Sequence, residues 1–306
     1  MVETTIASSR PVENRSERGI PEWFMGYVFV APAIIGFVIF YLFPTVRAFQ
    51  ISLTNWNMLR PAQFIGFSNY AELFSDSKFW DSTRITLLYV VYNIPLQTIL
   101  GLVIAVIADR VAKSVVVRII IIAPYLISGV VATMVWVLML DPLLGMTDAF
   151  LHMIGVPPQP FFNSPDQAIM SVAGVSIWRY VGFTALLFYA GLQSVPRNLY
   201  EAAKIDGASE VKMFFDITIP LLRPVLAFVL VTSVIGSFQI FDVIAVGTQG
   251  GPVNSTRVLL WYIYQNAFSY NRMGYASAVS VVLFVTLIVI TMVQMRLLRA
   301  GHSDLN

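Results

Sequence analysis

The 306-residue chain has no cysteine and only two histidines, His152 and His302. Without cysteine there are no disulfides, thiolate metal sites or cysteine nucleophiles, and the redox compartment cannot be read. Neither histidine has a neighbour at metal-ligand spacing, so both read as solvated loop or tail residues. Charge is scarce as well. Charged residues make up 12% of the chain, about half of what a soluble domain carries. A net charge of +2, spread over scattered basic residues, gives no footprint for nucleic acid. A glycine-rich loop followed by a Lys-Ser/Thr pair is missing, as is an acidic site for Mg²⁺, so the chain is expected to hold no nucleotide or other cofactor.

Hydrophobic residues are abundant. They form 57% of the sequence, and the mean hydropathy is +0.74. Six stretches have the length of a bilayer crossing: 23–43, 85–108, 115–140, 168–192, 225–246 and 275–297. The first follows a polar tail with Arg10, Arg15 and Arg18 and has too long an apolar run for a cleaved leader. The expected fold is therefore an all-α integral membrane protein. A tail at 1–22, a six-helix domain at 23–298 and a short tail at 299–306 complete the layout.

Lysine and arginine beside the spans set the orientation. One side holds Arg10, Arg15, Arg18, Arg110, Lys113, Arg118, Arg197, Lys204, Lys212, Arg223, Arg296 and Arg299. The other holds Arg47, Arg60, Lys78, Arg84, Arg257 and Arg272, with none at 141–167. This asymmetry puts both termini in the cytoplasm.

Between the fourth and fifth spans lies a polar island, 195–224, VPRNLYEAAKIDGASEVKMFFDITIPLLRP. Pro196 suits a first helical turn, and Leu199, Ala202, Ala203 and Asp206 then share one face. Gly207 fits the left-handed residue that ends a helix, and Ser209 with Glu210 opens another. Small residues at Ala202 and Ala203 let a partner's groove come close, so the island reads as a docking element.

Several intramembrane polar residues stand out. In the fourth span Ser176, Arg179, Tyr180 and Phe183 lie on one face. A guanidinium at such depth needs a partner or a wet cavity. Two readings stay open: a sugar-binding wall of rings and polar groups, or a structural pair such as Arg179 with Asp242. In the fifth span Ser233, Gly236, Ser237 and Ile240 share a face, with Gln239 beside it; close helix packing is the commoner use of such residues. Tyr125 and Ser128 sit between Pro124 and Gly129, where the third span is expected to bend and expose hydroxyls. Asn93 and Gln97 of the second span share a face and read as cross-helix hydrogen-bonding residues. The segment 61–80 reads as an amphipathic helix near the outer interface, following Pro44 and Trp56. Loop 141–167, with Asp141, Asp148 and Asp166, reads as facing an extracytoplasmic partner or as a plain connector. Gly250, Gly251 and Pro252 mark a turn in the last outer loop.

Glu201-Ala202-Ala203, then Gly207, then Ile217-Thr218-Ile219-Pro220 resembles the EAA signature of importer permeases of the ATP-binding-cassette (ABC) superfamily. Ile219 stands where that family usually has leucine. Phe64-Ile65-Gly66, Asn69-Tyr70 and Gly250-Gly251-Pro252 resemble the carbohydrate-type branch, maltose and sn-glycerol-phosphate permeases included. The likeness runs from about Phe29 to Leu297. It implies a type I (MetI-like) permease of a bacterial or archaeal cytoplasmic membrane. It also implies that Glu201, Ala202, Ala203, Asp206, Gly207 and Pro220 belong to the element that docks in an ATPase cleft. Tyr125, Ser176, Arg179, Tyr180, Phe183, Ser233, Ser237 and Gln239 are the substrate-pathway candidates. Gly250, Gly251 and Pro252 lie on the side that meets a solute-binding protein. The implied partners are a second permease subunit, two ATPases that bind ATP and Mg²⁺, the binding protein, a sugar and the lipid bilayer. A glycerol phosphate or other small solute is the competing substrate reading. A secondary transporter is the weaker one, since no internal repeat is visible, and a membrane enzyme would need catalytic residues that the spans lack.

Overall fold

The computed structural model describes residues 22–111 and 114–298. The tail readings, with Arg10, Arg15, Arg18, Arg299 and His302, and the placement of Lys113 lie outside the described residues. The chain divides at Arg47 into two units.

The first unit contains α1 (Glu22–Phe37), a π-helical turn at Val38–Leu42, and the start of α2 (Phe43–Ser52). The expected end of the first span at 43 is overrun, because the helix continues through Pro44 to Ser52. The π turn gives the reason. It loosens the ladder just ahead of Pro44, where a proline lacking its N–H would otherwise break it. The Thr45 hydroxyl donates to the carbonyl of Tyr41 at 2.7 Å. Trp23, Phe29 and Phe40 are all exposed, as side chains meant for lipid are.

In the second unit, α3 (Ser68–Ser75) is preceded by an extended turn in which Thr54 bridges Phe64. The amphipathic helix expected over 61–80 is thus only eight residues long. Buried Asn69 replaces helical structure before it, donating to the carbonyls of Ser52 and Thr54 at 2.7 and 2.8 Å. Next comes α4 (Ser77–Val111), a 35-residue helix that starts well before the expected 85. Polar SKFWDSTR at its start extends it beyond the apolar run that defined the span.

The third span is two helices, α5 (Val115–Leu126) and α6 (Gly129–Met139), bent by 90°. The sequence led to one bending helix; the structure has a full break at Ile127 and Ser128. Pro124 weakens the ladder, and Ile127 and Ser128 are extended in ψ. After α7 (Met146–Met153), in which His152 is exposed, α8 (Ala168–Gln193) forms the centre of the fold. Val172, Val175 and Phe188 of α8 are among the most deeply buried side chains.

Small residues permit the close packing. A Cβ at Gly101 of α4 would meet Thr184 of α8 at 2.6 Å, and one at Gly182 would run into the backbone carbonyl of Ile121. In lipid, van der Waals contact of this kind replaces the hydrophobic drive.

The island folds as α9 (Arg197–Ile205), α10 (Glu210–Met213), a π turn at Phe214–Thr218 and α11 (Ile219–Leu221). The following α12 (Arg223–Phe238) meets the preceding stretch at 66°. It stops at Phe238, short of the expected 246, and Ile240 lies past its end. Helical structure resumes at Asp242 and runs into a π turn at Ile244–Thr248. The chain closes with α13 (Leu259–Tyr264) and α14 (Met273–Leu297). Among the described residues four helices are long and apolar enough to cross a membrane, or up to six if each bent pair counts as one span.

Candidate functional site: a polar cavity and a docking loop

A cavity of about 240 Å³ lies among α4, α8, α12 and the broken third span. All eight pathway candidates line it: Tyr125, Ser176, Arg179, Tyr180, Phe183, Ser233, Ser237 and Gln239. Ser176, Arg179, Tyr180 and Phe183 reach it from one helical face. Gln239 reaches it from the break after α12, where its main chain is no longer helical. Tyr125 and Phe183 stack with ring centres 4.7 Å apart, and Tyr180 meets Tyr125 edge-on at 5.7 Å. Rings and hydroxyls therefore face one space, the chemistry of a site for a ligand with both apolar faces and polar edges.

Arg179 supplies the only positive charge on the cavity's described lining, and Asp242 the only negative one. They lie 3.9 Å apart, with the Arg179 side chain 16% exposed and that of Asp242 49%. The Arg179 Nε also donates to the carbonyl of Ile127 at 3.3 Å, one of the groups freed by the break in the third span. Its guanidinium lies over the Tyr180 ring and donates to the Tyr180 hydroxyl at 3.3 Å. Gly129 leaves room for this arrangement, since a Cβ there would strike both Arg179 and Asp242. The structure thus gives Arg179 both environments that the sequence left open, an acidic partner and a cavity.

Asn93 and Gln97 make the expected cross-helix bonds. The Asn93 amide donates to the Ser237 hydroxyl at 3.0 Å, and that of Gln97 to the Thr184 hydroxyl at 2.9 Å. Both also line the cavity, a location that periodicity alone does not give. Among the described residues no three His, Asp or Glu side chains gather as metal ligands would.

Past the end of α8 at Gln193 lie the docking candidates. Glu201, Ala202, Asp206 and Gly207 are exposed and Ala203 is half-buried. Gly207 takes φ +77°, the left-handed cap that its position suggested. Ser209 caps α10 by accepting the N–H of Lys212 at 3.3 Å. Pro196 sits one position earlier than expected, as the N-cap rather than in the first turn. Pro220 opens α11, where a missing N–H does no harm. Ile205 is 87% exposed, an apolar side chain held out from a charged loop. Beneath the loop, Arg110 of α4 pairs with Glu210 at 3.0 Å, and Gln193 donates to Asp109.

In the loop before α13 Gly250 takes φ +86° beside the indole of Trp261, and the Thr256 hydroxyl donates to the Gly251 carbonyl at 2.7 Å. A network missed by sequence reasoning ties the neighbouring elements. Asp76 accepts hydrogen bonds from Tyr262 and, at 2.8 Å, from Tyr275. Arg272 grips Glu72 through both carboxylate oxygens at 2.6 Å. Burial raises the Asp76 pKa, but the two tyrosine hydroxyls, the N–H of Lys78 and its charge outweigh it, leaving the carboxyl below its ordinary range. Burial and the Asp76 contact push Tyr262 up to about 12. The partners are 186 to 200 residues apart in sequence, so only the fold reveals them.

Residues 97–301 match the family described as the inner membrane component of binding-protein-dependent transport systems. The chain belongs to this family. The permease is 33% identical over 298 residues to the sulfoquinovosyl glycerol transport system permease protein of Agrobacterium fabrum, covering 92% of this chain and 96% of that one. It is 34% identical over 276 residues to the trehalose/maltose transport system permease protein of Thermococcus litoralis, covering 89% and 92% respectively. In fold it matches a chain of a bacterial alginate ABC transporter crystallised with an alginate pentasaccharide-bound periplasmic protein. The TM-score is 0.80 at 24% identity, over 92% of this chain and 96% of that one. The permease is thus a membrane-embedded transport component of the ABC importer type.

Proposed function

We propose that this permease moves an uncharged sugar of mono- to disaccharide size inward, through the cavity between α4, α8 and α12, driven by ATPase subunits docked on 195–224. The observation that carries the reading is the cavity itself. Stacked Tyr125 and Phe183 offer a platform for the apolar face of a pyranose, and Ser176, Ser233, Ser237 and Gln239 offer partners for its hydroxyls. The charges of Arg179 and Asp242 offset one another, which favours a neutral ligand over a phosphorylated one. Relatives whose names refer to sugars support the class.

The exposed 199–216 helices supply the mechanical half. ATPase closure moves them as a rigid body, and the 66° joint to α12 carries the motion to the cavity wall. A second permease subunit completes the path, two ATPases bind ATP and Mg²⁺, and a solute-binding protein delivers sugar to the face bearing Gly250, Gly251 and Pro252. In this layout 23–298 is one permease domain of six spans, and tails 1–22 and 299–306 lie in the cytoplasm of a bacterium or archaeon.

Uptake competition in membrane vesicles tests the substrate class. Trehalose or maltose is expected to compete for uptake and glycerol phosphate is not. Competition by glycerol phosphate that is lost in Arg179→Gln would reverse the assignment to an anionic substrate.

A further inference from the structure

We propose that Asn93 of α4 is a substrate-binding residue, its side-chain carbonyl accepting a hydroxyl of the transported sugar. The inference rests on the cavity being the substrate path and adds a wall that the fourth and fifth spans alone do not supply.

Asn93 is 4% exposed and lines the cavity. Its Nδ2 donates twice, to Ser237 Oγ at 3.0 Å and to Gln97 Oε1 at 3.3 Å. Its Oδ1 is buried and has no partner among the described residues. A buried carbonyl left in this condition costs about 1–3 kcal/mol, and most folds avoid it. Gln97 presents its oxygen to Asn93 while its own Nε2 donates to Thr184 at 2.9 Å. With Gln97 so placed, turning the Asn93 amide over alone would set two carbonyl oxygens against each other.

The same bonds leave a donor beside the orphaned acceptor. Ser237 receives the Asn93 amide proton, and its own hydroxyl proton has no acceptor among the described residues. One free acceptor and one free donor, on adjacent groups, match the edge of a sugar, where every hydroxyl both donates and accepts. The pair is also rigidly held. Gly101 and Thr184 bring α4 and α8 into close contact about two turns along α4 from Asn93, and the Gln97–Thr184 bond locks the register. A site needs such support to discriminate.

The test uses the complete transporter in proteoliposomes with its binding protein. The probes are radiolabelled glucose, trehalose and maltose, with the monodeoxy analogues of whichever the wild type takes up. One analogue, lacking the hydroxyl that donates to Asn93, is expected to enter about five- to tenfold less efficiently than its parent. In Asn93→Leu, which keeps the bulk without the acceptor, parent and that analogue are expected to enter equally. An equal loss for the parent and every analogue would overturn the proposal, because Asn93 would then only join helices. If Asn93→Leu does not assemble, Asn93→Ala decides. It removes the acceptor without adding bulk, so the parent and that analogue should again enter equally; a preference for the parent retained at the wild-type ratio would overturn the proposal. Ser233→Trp, which fills the cavity, reports on the underlying reading separately. Abolished uptake upholds the path whatever Asn93 does, whereas unchanged uptake removes both path and proposal. Uptake of none of the three sugars by the wild type would likewise overturn both.

Discussion

The phenol oxygen of Tyr200 lies 2.8 Å from the hydroxyl of Thr218, joining the first limb of the docking loop to the π turn that leads to α12. If the loop transmits force as a rigid body, this bond is part of what makes it rigid. Tyr200→Phe keeps the ring and removes one bond worth about 0.5–1.5 kcal/mol. Uptake is expected to fall two- to tenfold while ATP hydrolysis falls less, so that more ATP is spent per sugar. Parallel measurement of both rates in proteoliposomes checks it; an unchanged ratio would mean that the bond carries no force.

Gly182 faces the backbone carbonyl of Ile121, with no flexible side chain between them to yield. Gly182→Ala must therefore push α5 away from α8, at a cost of about 1–3 kcal/mol. A lower melting temperature in detergent is expected. Gly174→Ala serves as the control, since nothing lies near its added Cβ.

How much of this was legible in the sequence depends on the range of the interaction. The local fold of the 195–224 island was readable, because Gly207 and Ser209 act on their own neighbours through left-handed backbone and a local cap. That these eight residues share one cavity was legible too, since helical spacing fixes a face and deep polar residues need a cavity. Span boundaries were read less well. Pro44 signals an end, yet the π turn before it lets the helix continue. The polar first turns of α4 fall outside any hydropathy window. The break after Phe238 has no proline to announce it. Least legible were bonds between distant segments. Asp76 with Tyr262 and Tyr275 gives no local signal, and the free carbonyl of Asn93 emerges only when every neighbouring donor is counted.

Arg179 and Asp242 should behave as a unit. Arg179→Gln strands a carboxylate, and Asp242→Asn strands a largely buried guanidinium; removing both leaves neither charge alone. The double variant is expected to be more stable than the sum of the two single losses implies, with a coupling of about 0.5–3 kcal/mol. Thermal unfolding of all four proteins gives the cycle. Strict additivity would show that the 3.9 Å approach is incidental.

The Asp76 network predicts an acid sensitivity. Its pKa is lower in the folded chain than the ordinary 3.8, so the unfolded state takes up the proton more readily. The stabilisation is present above 3.8 and is lost as pH falls through the depressed folded value. Asp76→Asn should unfold at a lower temperature than wild type at neutral pH, and the gap should narrow as the pH is taken below 3.8. A gap independent of pH would assign the loss to packing.

We propose that the small residues of the 195–224 loop, Ala203 among them, couple an external ATPase to the cavity. The most direct measurement is sugar uptake by the assembled transporter carrying Ala203→Trp, with binding-protein affinity recorded on the same preparation. The account predicts abolished uptake and an unchanged affinity for the binding protein. Uptake at the wild-type rate would contradict it.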